Sequence, residues 1–299
     1  MIIINLKGGL GNQMFQYAIG YCLSRKKNTN LYFDTRLMEE HKINPPPRNV
    51  PRDFDLDVFD IEKKLVKNND LFKVLLFSNN YRIRKFITMS LDKLNLFAFY
   101  EKNRLYDKRI FISKYKNLYL DGLWQSEKYF KDNRSEILKI YNFDKIKNNK
   151  ENIDFLNKIN FEKSICLNVR RTDFINNPEH NIVNLEYYKK AIKKIQNIIG
   201  SDIKLYIFSD DLEWCKNNFS FIDKKYFIEH NLAGYKFYNY LYLMSNFKNF
   251  IIPNSSFAWW AAWLSKKNNK VIIVPEKWSG LVNQKFIDII PQNWIKIKF

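Results

Sequence analysis

The chain has 299 residues, 46% hydrophobic and 17% aromatic, which excludes disorder and allows one large domain or two ordinary ones. Fifty basic against 31 acidic residues leave a net charge of +19, which implies anionic partners: phosphorylated small molecules, nucleic acid or an acidic membrane face. Nucleic acid is set aside, because no helix-turn-helix, zinc finger or RNA-binding aromatic motif accompanies the charge.

The bland account of the lysines is a solvated surface. No apolar run approaches the ~20 residues that a membrane span needs. The opening Met1-Ile2-Ile3-Ile4-Asn5 has no basic leader and reads as a first strand rather than a signal peptide. Cys22, Cys166 and Cys215 form neither a disulfide framework nor a zinc spacing, which suits a reducing cytosol. Each reads as a small buried hydrophobe.

In chain order, Ile2 to Leu6 is a strand, Lys7 to Gly11 a glycine turn, and Asn12 to about Ser24 a helix. Leu31 to Asp34 is a second strand, and Pro45-Pro46-Pro47 with Pro51 marks an exposed loop. Residues 60 to 100 are lysine-rich with helical apolar spacing and read as amphipathic helices. Leu118 to Gly122 is a strand entering a turn. The Lys-, Asn- and Glu-dominated stretch at 143 to 163 marks a domain junction, dividing the chain into 1–150 and 151–299. Beyond it come strands at Ser164 to Val169, Ile203 to Ser209 and Phe250 to Pro253. Helices at Leu185 to Ile199, Leu212 to Asn218 and Ser256 to Leu264 alternate with them, and Val271 to Pro275 closes the series. Such alternation predicts parallel sheets in α/β domains.

Four constellations carry chemistry. In Gly8-Gly9-Leu10-Gly11-Asn12-Gln13, glycines permit positive φ and close ligand approach, and the helix that follows offers free N–H groups to an anion. The segment satisfies neither G-x-G-x-x-G nor the P-loop, so a tight strand-to-helix turn is its plainer reading. Asn168-Val169-Arg170-Arg171-Thr172-Asp173 puts two arginines at a strand's C-terminal edge, where open α/β sheets bind ligands. One guanidinium fork suits a diphosphate while the other is locked by a carboxylate such as Asp173. Ser209-Asp210-Asp211 ends another strand; its carboxylates suit a base, a ribose, a metal, a structural arginine or a helix cap. Asn254-Ser255-Ser256-Phe257 supplies hydroxyl and N–H donors at a helix start, and Trp259, Trp260 and Trp263 behind it read mostly as core.

Taken in order, these segments resemble the α-1,2-fucosyltransferase family (glycosyltransferase family 11), especially its short bacterial members. The match runs from GGLGNQMFQYA at Gly8 to Ala18, through DGLWQSEKYF at Asp121 to Phe130, NVRRTDF, IFSDD and NSSFAWWAAWL. The resemblance implies a GT-B-like fold: two Rossmann-like parallel-sheet α/β domains facing a cleft, with 1–150 on the acceptor side and 151–299 binding the donor. It also implies transfer of L-fucose from GDP-fucose to a galactoside hydroxyl in α-1,2 linkage, with inversion, no cofactor and no required metal.

Carried over residue by residue, Arg170 matches the arginine on the donor's β-phosphate, supported by Arg171. Ser209, Asp210 and Asp211 match the carboxylate motif near the nucleoside. Asn254, Ser255, Ser256 and Phe257 match the diphosphate turn. Gly9, Gly11, Asn12 and Gln13 match the N-terminal motif facing the cleft, with Trp124, Gln125 and Glu127 behind it on the acceptor side. One departure stands out: Asn168 occupies a position where the family usually has histidine. Asparagine keeps a donor and an acceptor but does not titrate near neutrality, which bears on donor choice.

Inverting transfer calls for a base on the acceptor hydroxyl, and Asp173, Glu179 and His180 are the candidates. Arg170 and helix N-termini would offset the charge of the departing diphosphate. A metal-dependent alternative would use Asp55-Leu56-Asp57, which fits D-x-D in letters but follows a charged stretch rather than an apolar strand. A second alternative is a non-catalytic basic module. The expected partners are a nucleotide sugar and an oligosaccharide or lipid-linked glycan acceptor. The expected setting is the cytoplasm, with the positive charge suiting peripheral contact with the anionic inner membrane.

Overall fold

A computed structural model describes residues 1–45, 50–66, 78, 80–283, 285 and 287–299. Pro46 and Pro47 of the proline loop, and 67–77 within the expected helical stretch, lie outside the described residues; Pro45 and Pro51 are exposed. The chain divides into two units: Met1–Ile140, to which residues 287–289 also belong, and Tyr141–Lys285 with Ile290–Phe299. The division falls ten residues before the 150/151 boundary. The reason lies in Tyr141, whose ring meets Trp260 edge-on at 5.2 Å, and Asn142, whose carbonyl accepts the Tyr238 hydroxyl at 2.7 Å.

In the first unit, strands β1 (Ile2–Asn5), β2 (Leu31–Asp34), β3 (Ala98–Tyr100) and β4 (Leu118–Asp121) form one parallel sheet in the order β2-β1-β4-β3. Its helices are α1 (Leu10–Lys26), α2 (Arg36–Ile43), α3 (Tyr81–Lys93), α4 (Arg109–Ile112) and α5 (Arg134–Ile140). Helix α1 lies close on the sheet because Gly20 has no side chain. A Cβ there would stand 2.7 Å from Leu31 and 3.0 Å from Ile4. Part of the stretch expected to be helical is instead β3, whose Ala98 and Phe99 are buried.

The second unit opens with α6 (Lys150–Asn157) and β5 (Ser164–Val169), then α7 (Leu185–Ile199), β6 (Lys204–Ser209), α8 (Leu212–Asn218) and β7 (Lys225–Phe227). It continues through α9 (Tyr238–Ser245), β8 (Asn249–Ile251), α10 (Ser256–Leu264), β9 (Val271–Pro275) and β10 (Ile295–Ile297). All six strands run parallel in the order β10-β9-β8-β5-β6-β7. The series therefore does not end at β9: Ile295 to Ile297 adds an edge strand beside it. Fully buried β5 reads as a continuous apolar run because helices cover both faces of such a sheet. Helix α7 shows how one face is covered. Asn184 caps it by accepting the Tyr187 N–H, and Tyr187, Tyr188, Ala191, Ile192 and Ile195 form its buried stripe.

The cysteines sit inside these cores. Burial pushes the Cys22 and Cys215 thiols up to about 12 and the Cys166 thiol well above its ordinary range. A thiol so shifted keeps its proton at neutral pH and does not react. Iodoacetamide at pH 8 should leave all three unmodified in the folded protein and label all three in urea, read by mass spectrometry. Labelling of any of them in the native state would contradict the burial.

Candidate functional site

The C-terminal ends of β5 and β6 are adjacent, with Val169 beside Ser209 in the register. Beyond them the chain gathers two arginines and three aspartates. Asp210 is the hub. Its carboxylate accepts the backbone N–H groups of Arg171 (2.9 Å) and Thr172 (3.0 Å) and the Thr172 hydroxyl, and it pairs with Arg170 Nη1 at 3.2 Å. Arg170 Nη2 reaches Asp173 at 2.8 Å, and the guanidinium lies 5.7 Å from the Phe174 ring. Asp211 is shared differently. One oxygen takes the Arg171 Nε–H at 3.0 Å, and the other caps α8 by accepting the Trp214 N–H at 3.1 Å. Arg171 also lies flat on the Trp214 ring at 4.1 Å, a cation–π contact that fixes its plane.

Asp173 therefore pairs with Arg170, the arginine expected to face the diphosphate, and Asp211 is the carboxylate that locks Arg171. Both guanidinium groups remain about a quarter exposed, at 27%. Two arginines against three aspartates leave one formal negative charge in excess here. An anion arriving at Arg170 must thus compete with a carboxylate already on it.

The neighbouring segments are held to the same end of the sheet. Strand β8 lies beside β5, so α10 begins next to the arginines' strand. Asn254 donates its amide to the carbonyls of His180 (3.1 Å) and Trp278 (3.3 Å), while its Oδ1 is buried with no partner among the described residues. Ser255 caps α10 through the Ala258 N–H, and Ser256 and Phe257 are half-buried at the helix start. Trp259, Trp260 and Trp263 are core, packed on one another. His180 stacks on Phe174 at 4.8 Å, and the Glu179 carbonyl accepts the Gly280 N–H at 2.9 Å. Gly280 is obligatory at that contact: a Cβ would fall 2.2 Å from the Pro178 carbonyl oxygen. Asn168 turns away from this end. It is 8% exposed and donates its amide to the Phe208 carbonyl at 3.0 Å. His230, absent from the sequence reading, places Nε2 2.8 Å from the Ser209 carbonyl.

The glycine motif of the first unit is largely self-supporting. Gly8 has φ +78°, and a Cβ there would meet the Asn12 amide at 2.3 Å. Gln13 is wholly buried. It donates to the carbonyls of Gly8 and Asp53 and accepts the Asp55 N–H at 2.8 Å. That bond places Asp55-Leu56-Asp57 at a short 3-10 turn whose Leu56 is buried. Asn12 accepts the Gln125 amide at 2.8 Å. Gly9 is half-buried at the start of α1 and Gly11 is buried behind it. Trp124 (1% exposed) and Gln125 (5%) are interior, whereas Glu127 is half-buried.

Two groups missed in the sequence complete this end of the sheet. Lys7 forms a 2.7 Å ion pair with buried Asp121. Glu101 accepts the N–H groups of Leu123 (2.6 Å) and Trp124 (3.0 Å), and burial pushes its carboxyl up from the usual range. Those two bonds hold Trp124 at φ +55°, a conformation that strains a tryptophan. Charged residues just past a strand were the available signal at Lys7 and Asp121; Glu101 carries no motif.

Fold and site together define an α/β protein whose paired parallel-sheet units carry an arginine–aspartate cluster at the strand ends of the second unit. The chain belongs to glycosyl transferase family 11, which it matches along residues 1–298, and is therefore a glycosyltransferase. It is 30% identical over 306 residues to the alpha-1,2-colitosyltransferase of Escherichia coli, covering 100% of this chain and 99% of that one. It is 31% identical over 318 residues to the O-antigen biosynthesis glycosyltransferase WbnK of Escherichia coli, covering 98% and 99%. Among solved structures it is similar to NodZ alpha-1,6-fucosyltransferase soaked with GDP-fucose, at TM-score 0.47 and 14% identity over 88% of this chain and 92% of that one.

Asp210 joins two strand ends through four donors, so Asp210→Ala should cost roughly 2–4 kcal/mol of stability, the range for breaking a mostly buried charged network. Urea unfolding followed by circular dichroism measures it. A loss below about 0.5 kcal/mol, the level of an ordinary surface substitution, would remove Asp210 from its place as hub.

Proposed function

We propose that this glycosyltransferase moves L-fucose from GDP-fucose to a galactoside hydroxyl, in α-1,2 linkage and with inversion, during cytoplasmic assembly of a surface glycan. The observation that carries the reading is the held guanidinium of Arg170 at the strand end where α10 begins. A fork already fixed by two carboxylates needs little ordering to meet a diphosphate oxygen, and charge building on departing GDP would strengthen that contact. The turn Asn254 to Phe257 adds N–H donors at the start of α10. The reaction so described uses no metal, and its acceptor is an oligosaccharide or lipid-linked glycan.

Asp173 is the candidate base with the most direct link to this arginine. As a proton acceptor it would release Arg170 to the phosphate on becoming neutral. Glu179 and His180, held through their backbone by Gly280 and Asn254, are the other candidates.

A second donor is favoured by one relative, an alpha-1,2-colitosyltransferase. Colitose is fucose without its 3-hydroxyl, and Asn168 gives its amide to the Phe208 carbonyl rather than presenting it. A site that does not bind a sugar hydroxyl has little to lose with the deoxy sugar. GDP-fucose and GDP-colitose offered in parallel with lactose as acceptor decide between them by product mass. Transfer from neither, with transfer from a non-GDP sugar nucleotide instead, would overturn the proposal.

Arg170→Ala should lower kcat about 10²–10³-fold, as loss of one transition-state donor does. Near-normal turnover would refute its role. Asp173→Asn removes the competing charge, so it should tighten GDP binding by about threefold to tenfold, within the reach of one charge at partly exposed distance. If Asp173 is also the base, transfer falls while binding improves. Unchanged or weaker GDP binding would show that the aspartate does not compete.

A further inference from the structure

Helix α3 is built inside out. Its sheet-facing side carries Arg84, Thr88 and Asp92, each no more than 1% exposed, beside half-buried Ile87 and Leu91 on the Ile3–Ala98–Tyr119 cluster. Its outer side presents Phe86 at 72% exposure, Ile83 at 50% and Met89 at 38%, continued past the last turn by Leu94 at 67%. Spacings of three residues from Ile83 to Phe86 and Phe86 to Met89 keep these side chains on one face. Burying an arginine and an aspartate is costly, and exposing a phenylalanine forgoes its transfer free energy. A helix that does both has an outward face shaped for something other than water.

The charges select the partner. Arg82 and Lys93 are exposed on this face at the two ends of the helix. The single acidic residue of α3, Asp92, is turned inward to Arg109 at 3.1 Å and Lys102 at 3.4 Å. Apolar side chains flanked by cations, with no exposed anion on the helix, match the boundary of an anionic bilayer, where rings enter the acyl region and lysines meet headgroups. A second copy of this chain would set the same cations against each other on a protein already at +19. No described helix is long and apolar enough to cross a membrane, and this one, about 20 Å long, would lie along the surface.

We propose that the Ile83–Phe86–Met89–Leu94 face of α3 is the surface on which the protein docks to anionic membrane lipid. Docking is reversible, because one short helix supplies a few apolar side chains and two cations. It goes beyond the transfer reaction and does not depend on which donor is used.

Co-sedimentation with vesicles of phosphatidylcholine alone, and of phosphatidylcholine mixed with phosphatidylglycerol, tests it. The wild-type chain should bind the mixed vesicles and not the zwitterionic ones. The double variant Ile83→Ser, Phe86→Ser should lower the partition coefficient about tenfold or more, as losing interfacial aromatic and aliphatic area does. Arg82→Glu with Lys93→Glu should lower it through charge alone and keep the apolar face intact. Circular dichroism should be unchanged in both. Three results overturn the proposal: no binding to either vesicle, both variants binding as wild type, or sedimentation velocity showing a dimer that the Ser variant dissolves.

Discussion

The carboxylate of Asp210 is the constraint on which the second unit's site depends. Parallel strands end without a turn to join them, so whatever lies past β5 and β6 must be fixed by side chains. Asp210 does this with two backbone N–H groups, a hydroxyl and a guanidinium, tying the first three residues beyond β5 to the first beyond β6. Charge-assisted bonds of this kind are short and directional, and they set the planes of both arginines before any ligand is considered. Preorganisation of that sort is what electrostatic catalysis requires, since a fork already in position has no ordering cost when charge develops nearby.

The same device recurs in the first unit with a different anion. Glu101 holds the turn after β4 by its two N–H bonds, and Trp124 accepts a positive φ as a consequence. Gln13 and Gln16 close the glycine turn from inside: the first binds Gly8, Asp53 and Asp55, and the second binds Lys7 and Gly122. Long polar side chains at these positions therefore serve the backbone, and Asn12, bonded to Gln125, links the glycine turn to the β4 turn. Their burial explains why the motif tolerates no simple shortening: each amide satisfies carbonyls and N–H groups that would otherwise be buried unpaired.

Much of this architecture was legible in the sequence, for a definite reason. Interior strands such as Ser164 to Val169 are buried on both faces and therefore read as unbroken apolar runs. The strands that escaped notice, Ala98–Tyr100, Lys225–Phe227 and Ile295–Ile297, all lie at sheet edges and have three residues each. An edge strand buries less and admits Lys225 or Lys296, which erases the apolar signal. The strand-end arginines and aspartates were equally visible, but their pairing was not. Asp173 and Asp211 are similar in sequence context, and only the β5–β6 register decides which arginine each one meets. Glu101 was beyond reach, because nothing local marks a glutamate that serves a turn twenty-two residues away.

The central claim is that Arg170 reads the diphosphate of the donor. Calorimetric titration of GDP and of guanosine into the wild-type chain and into Arg170→Ala isolates that contact from binding of the base. The account predicts that the preference for GDP over guanosine shrinks about tenfold or more in the variant, the worth of a charge-assisted phosphate contact. An identical preference in both proteins would contradict it.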